Sequence, residues 1–191
     1  FPNNYRVNFV HDQPWKDVTA LNIDSKYTHL QFMGAALFQL AGLAAMDTTV
    51  VQVRLNGVNL ALDDYRRMYG SYVALEVYDR DWPDNHFPDD DAGNIYQCSF
   101  FYDGFNPWTF ADLDYKEDEG ETPDPDDYRN NYRKQTNGAE DDWSDLFALI
   151  DTLNNPDIPD ADFIEEVSRA INLDKWMRYL AADVLVGNRE G

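Results

Sequence analysis

The stretch Thr48-Thr49-Val50-Val51-Gln52-Val53-Arg54-Leu55-Asn56-Gly57, followed after LALDDYRRM (60–68) by Tyr69-Gly70-Ser71-Tyr72-Val73-Ala74-Leu75-Glu76-Val77-Tyr78-Asp79, decides the fold. The first run is β-branched and alternating, the signature of a strand. Its Asn56-Gly57 pair invites a tight turn, because both residues tolerate positive φ. The second run is the delayed partner strand, and 60–68 reads as an inserted hairpin or short helix. Glu76 stands alone in an apolar strand, where an unpaired carboxylate is costly to bury. It therefore either faces solvent or has a specific partner.

Outward from this pair, Tyr5, Val7 and Phe9 alternate with Arg6 and Asn8, which predicts a half-buried strand at the start. From Lys26 to Leu40 the spacing of Leu30, Met33, Leu37 and Leu40 predicts a helix with that apolar face inward, ended by Gly42. DWPDNHFPDDDAGN (81–94) reads as an acidic loop, NIYQCSFFY (94–102) as a further strand, and Lys116–Asp127 as an exposed loop. Three helices follow. Asp142 or Ser144 caps one carrying Leu146, Leu149, Ile150 and Leu153; Asp160 caps one carrying Phe163, Val167 and Ile171; Asp174 caps one carrying Trp176, Met177, Leu180 and Val184. Strands first and helices afterwards indicate an α+β chain of two lobes.

Composition narrows the partners. A formal net charge of −21 with 43% hydrophobic residues describes a folded core under an acidic surface. Such a surface repels nucleic acid and anionic membrane, and favours cations, a basic protein or a saline milieu. No stretch is apolar enough to insert into a bilayer. Cys98 is the one cysteine, so no internal disulfide can form, and it reads as a small buried hydrophobe. His11, His29 and His86 lack the spacing of a zinc site. P-loop, Rossmann, nucleophile-elbow and ordinary protein-kinase signatures are missing. Asp84, Asp89, Asp90 and Asp91 offer the hard oxygens that Ca²⁺ or Mg²⁺ takes, without the spacing of an EF-hand loop. Asn188 and Glu190 sit where an apolar helix ends, a common place for polar groups to line a cleft.

In order along the chain, FPNNYRVNF, LQFMGAALFQLAGLAA, TTVVQVRLNG, YGSYVALEVYDRDW, GNIYQCSF, YRKQTNGAEDDWSDLFALIDTLNN and LDKWMRYLAADVLVGNREG together resemble the CotH-like kinases, a family named for a spore coat protein. The resemblance implies an atypical kinase-like fold that transfers phosphate from ATP, with divalent metal, to serine of a protein partner, in secreted or cell-surface proteins. It implies a strand-rich lobe with one helix over 1–81, acidic loops and a connecting strand over 82–140, and the start of a helical lobe over 141–191. The segment then reads as part of a larger domain, interrupted as its loop GNREG begins.

Site residues follow from the same resemblance. Asn188 and Glu190 match the metal and catalytic loop, with Glu190 standing for an aspartate. Glu76 matches the glutamate of a GLYLLVE-like strand. Arg6 or Lys134 supplies positive charge to phosphate, and Asp89 and Asp91 remain the candidate metal ligands of the acidic loop. Where lysines are common in the family this chain has Asn3, Asn4, Asn8, Gln97 and Gln135. Those exchanges remove cations that would neutralise ATP phosphates, so weak nucleotide binding is expected, and no phosphoryl transfer is expected of this 191-residue piece alone. The alternative is a non-catalytic surface module for assembly or adhesion, with cation-binding acidic loops. A third reading, a carbohydrate-binding groove, requires Trp82 and Trp108 to be exposed together.

Overall fold

The computed structural model describes residues 4–10, 12–16, 18–59, 71–99, 110–116 and 123–187. It divides into two compact units: the described parts of Phe1–Asp91 and Met177–Gly191, and those of Ala92–Trp176.

The first unit is built on a four-stranded antiparallel sheet. Its strands are β1 (Tyr5–Asn8), β2 (Ala20–Asp24), β3 (Thr48–Gln52) and a later strand, Ser71–Glu76. Before that later strand come a helix, α1 (Thr28–Leu40), and a small hairpin of β4 (Arg54–Leu55) and β5 (Val58–Asn59), so Ser71–Glu76 is β6. The spatial order is β1-β2-β6-β3. The pairing expected from the opening motif is present, with Val50 opposite Val73 and Thr48 opposite Leu75. Asn56 and Gly57 form the two-residue turn between β4 and β5, at φ 51° and 82°. β1 shows the expected alternation of half-buried and exposed residues. Residues 60–68, expected as an inserted hairpin or short helix, lie outside the described residues.

β6 is one of the two inner strands, and residues 72–77 are all buried. It therefore reads as an apolar run rather than an alternating one. α1 lies against it and ends as expected, with Gly42 at φ 77°. Its inward face differs from the expected one. Thr28 and Ala35 are buried, whereas Leu30, Met33 and Leu40 are 57%, 64% and 86% exposed. Small residues let the helix axis approach the sheet closely, a gain the leucine spacing does not register. The acidic segment after β6 is also not all loop. Asp81–His86 forms a short helix, α2, with Asp81 and Asp84 in its first turn, where negative charge suits the helix dipole.

In the second unit, β7 (Tyr96–Cys98) pairs with β8 (Tyr132–Lys134), and a one-turn helix α3 (Pro125–Tyr128) lies between them in sequence. Then come α4 (Ser144–Asn154), α5 (Asp160–Ala170) and the start of α6 (Leu173–Val186), whose residues from Met177 onward belong to the first unit. Tyr128, Tyr132, Trp143, Leu146 and Ile150 form the core. The beginning of 116–127 is less exposed than expected: the Lys116 amine is buried, donating to the Phe110 carbonyl at 2.7 Å and pairing with Asp112. Residues 117–122 lie outside the described residues.

Helix ends follow the sequence loosely. Asp142 accepts from the Ser144 amide at 2.9 Å, but Asp160 lies inside its helix after Pro159 and makes no cap bond. Asn172, not Asp174, accepts from the Lys175 amide at 3.0 Å. Trp176, Met177, Leu180 and Val184 are exposed, while Ala182 is buried. Cys98 is exposed rather than buried, at the end of β7, while Tyr96 of the same strand packs on Trp143 at 5.4 Å. Among the described residues the chain is thus mixed α+β, with six helices and one four-stranded sheet. None of those helices is long and apolar enough to cross a membrane.

Candidate functional site

Glu76 ends β6 and is only 4% exposed, so the strand pattern left it a choice that the fold resolves: it has specific partners. The Asn85 amide donates to Oε1 at 3.0 Å. His86 Nε2 lies 2.6 Å from Oε2, and the Asp47 backbone N–H donates to the same oxygen at 3.2 Å. Three segments meet at one side chain.

Local sequence explains the convergence. Trp82 is the anchor of α2, stacked on His86 at 4.7 Å and edge-on to Tyr78 at 4.9 Å and Phe87 at 5.5 Å. With Trp82 and Pro83 buried, the turn that follows presents Asn85 and His86 to the sheet end. Asp47 precedes β3, and the β6–β3 register brings its carbonyl to the Glu76 N–H at 3.0 Å. Trp82, buried at 7% exposure, is unavailable to a carbohydrate groove; Trp108 lies outside the described residues.

Negative charge accumulates beyond β6. Burial pushes the Asp79 carboxyl above its usual range; Asp81 and Glu76 add to that, while Arg6 and the Asp81 N–H oppose it. Burial likewise raises the Tyr78 phenol. Asp81 accepts from the Thr19 hydroxyl. Arg6 is exposed on β1, with its Nε donating to Asn8 Oδ1 at 3.1 Å. Arg6 and Glu76 are therefore in the same unit, with Asp79 between them electrostatically. Asp47, Glu76 and His86 form the one group of three potential metal ligands among the described residues, their ligand atoms within 4.8 Å of one another.

The remaining site candidates are placed elsewhere. Asp89 and Asp91 are exposed in turns after α2. Asn188 and Glu190 lie outside the described residues, as does Asn3. Lys134 belongs to the second unit, its amine donating to the Asp142 carbonyl and lying 5.9 Å from the Tyr96 ring centre. It lines a cavity of about 260 Å³ with Arg129, Tyr132, Arg133, Gly138, Asp141 and Trp143. There Arg129 grips Asp141 with two 2.6 Å hydrogen bonds and holds its carboxyl down at about 2. Gln97 and Gln135 meet at 3.3 Å across the β7–β8 pair.

A protein-family model described as CotH kinase protein matches residues 7–190. This chain belongs to the CotH kinase protein family. No curated protein matches it. The CotH match covers both compact units, so the strand-rich and helical parts come under one family assignment. Family membership suggests use of nucleotide and metal, and the acidic corner around Glu76 offers oxygen and nitrogen donors suited to a divalent cation. His86 and Asp47 were missed by sequence reasoning. Neither has a second ligand at a recognisable spacing, because the set is assembled from residues 29 and 10 positions away from Glu76.

Proposed function

We propose that this CotH-family chain is a protein kinase domain that transfers phosphate from ATP to serine of a protein partner at the cell surface or outside the cell. The observation that supports the reading most is the family match across residues 7–190. In this reading the chain forms part of a two-lobed kinase-like arrangement, strand-rich over 1–81 and helical from 141.

Phosphoryl transfer depends on positioning and on neutralising phosphate charge. Arg6 or Lys134 supplies positive charge, and Glu76 keeps the end of β6 in place through its three hydrogen bonds. Asn188 and Glu190 would hold the metal, and Glu190 would orient the acceptor hydroxyl. Mg²⁺, when bound, supplies charge neutralisation on the phosphates. Asp89 and Asp91 offer outer oxygens for Mg²⁺ or Ca²⁺.

The test is incubation of the protein in its full-length form with labelled ATP, Mg²⁺ and candidate acceptors, read as phosphoserine by mass spectrometry. Labelling that falls at least about a hundredfold in Glu190→Gln supports the reading, as expected when the carboxylate that takes the acceptor-hydroxyl proton is neutralised. No labelling, or labelling indifferent to Glu190→Gln and Asn188→Ala, refutes it.

A second reading is favoured by Gln97 and Gln135, which bond to each other where the family commonly carries lysines. In it the fold is kept as a non-catalytic surface module for adhesion or assembly with a basic protein partner. Partner binding without measurable ATP binding would select this reading.

A further inference from the structure

We propose that Asp47, Glu76 and His86 form a binding site for a first-row divalent transition ion of the Zn²⁺ or Mn²⁺ type, independent of nucleotide. The three come from the segment before β3, the end of β6 and the end of α2, and their ligand atoms lie within 4.8 Å of one another. An ion at about 2.0–2.2 Å from each atom needs ligand separations of about 3–4 Å. The 2.6 Å gap between His86 Nε2 and Glu76 Oε2 opens to that range by small side-chain rotations, with the metal taking the place of the direct contact.

Charge supports an ion here. Among the described residues the hydrogen bonds to Glu76 come from an amide, a backbone N–H and an imidazole, and none from lysine or arginine. Glu76 also acts repulsively on Asp79, whose carboxyl is raised by burial first and by Asp81 as well. Buried carboxylates without a full counter-charge are costly, and metal coordination is one of the few ways to offset that cost. Two carboxylates and a neutral imidazole balance one divalent ion. The nitrogen donor decides the class, because Ca²⁺ and Mg²⁺ favour all-oxygen sets whereas imidazole suits Zn²⁺ and its neighbours.

The corner is also supported and accessible. Trp82 stacks on the His86 ring and fixes its plane. Gln39 Nε2 holds Asp47 Oδ1 at 3.1 Å and Asn85 holds Glu76 Oε1, so Glu76 meets the ion through Oε2, which also accepts from the Asp47 backbone N–H. Such outer partners orient metal ligands. Asp47 is exposed, the His86 side chain is 15% exposed and that of Glu76 5%, so an ion enters past Asp47 and ends on Glu76.

The test uses chelator-stripped full protein titrated with Co²⁺, read by visible absorption, then with Zn²⁺ as competitor. One saturable Co²⁺ per chain is expected, displaced by Zn²⁺ and indifferent to equal Mg²⁺ or Ca²⁺. Asp47→Asn and His86→Gln should each weaken binding by about tenfold or more. Asp47 is exposed, so its variant keeps the fold, as circular dichroism will show. Absence of saturable binding, equal binding in both variants, or loss only in Asp89→Asn with Asp91→Asn overturns the site. Because no ATP is present, failure of phosphoryl transfer leaves this result standing.

Discussion

Replacing Glu76 by alanine removes the acceptor that ties α2 and the segment before β3 to β6. The hydrogen bond to His86 involves an ionisable pair at 2.6 Å in a buried setting, a class worth about 1.5–3 kcal/mol. The bonds from Asn85 and from the Asp47 N–H involve exposed residues that water can re-solvate, so each contributes only about 0.5–1 kcal/mol. Burial of Glu76 opposes these gains, because its carboxylate gives up hydration in a residue only 4% exposed. The expected loss for Glu76→Ala is about 2–4 kcal/mol, a large share of the stability of an ordinary domain. Glu76→Gln, which keeps one acceptor oxygen, should lose about half as much. Urea unfolding in the presence of chelator, followed by far-UV circular dichroism, measures both. A change in midpoint worth less than about 0.5 kcal/mol for Glu76→Ala, at unchanged slope, would refute the view that this carboxylate organises the corner.

In the second unit, Ile150 is 1% exposed within the tyrosine and tryptophan core, so Ile150→Ala should cost about 2–5 kcal/mol by urea unfolding. Asp141 is held at about 2 by Arg129, below the ordinary aspartate value of about 3.9, so its contribution is present above that value and lost as pH falls towards 2. Acid unfolding of Asp141→Asn should show a shallower pH dependence over this window than the parent protein. Restoring cations with Gln97→Lys and Gln135→Lys together should tighten ATP binding by about tenfold or more if these positions face phosphate, as isothermal titration will measure. Unchanged affinity would remove β7 and β8 from the nucleotide reading.

Local pattern determined a good deal of this protein. β-branched alternation located β3, a continuous apolar run located β6, Asn56-Gly57 made the β4–β5 turn, Gly42 ended α1, and ordered motifs along nearly the whole chain carried the CotH resemblance. Each of these is a property of adjacent residues, so it can be read without knowing what lies across the fold. Tertiary structure decided which faces are buried. The leucine-rich stripe of α1 and the apolar stripe of α6 are exposed while Thr28, Ala35 and Ala182 are buried, since close approach of backbones depends on small side chains and on what lies opposite. It also decided the fate of Glu76. The sequence left open whether that carboxylate met water or a partner; only the folding of α2 onto the end of β6, anchored by Trp82, brought His86 and Asn85 to it from positions with no motif of their own.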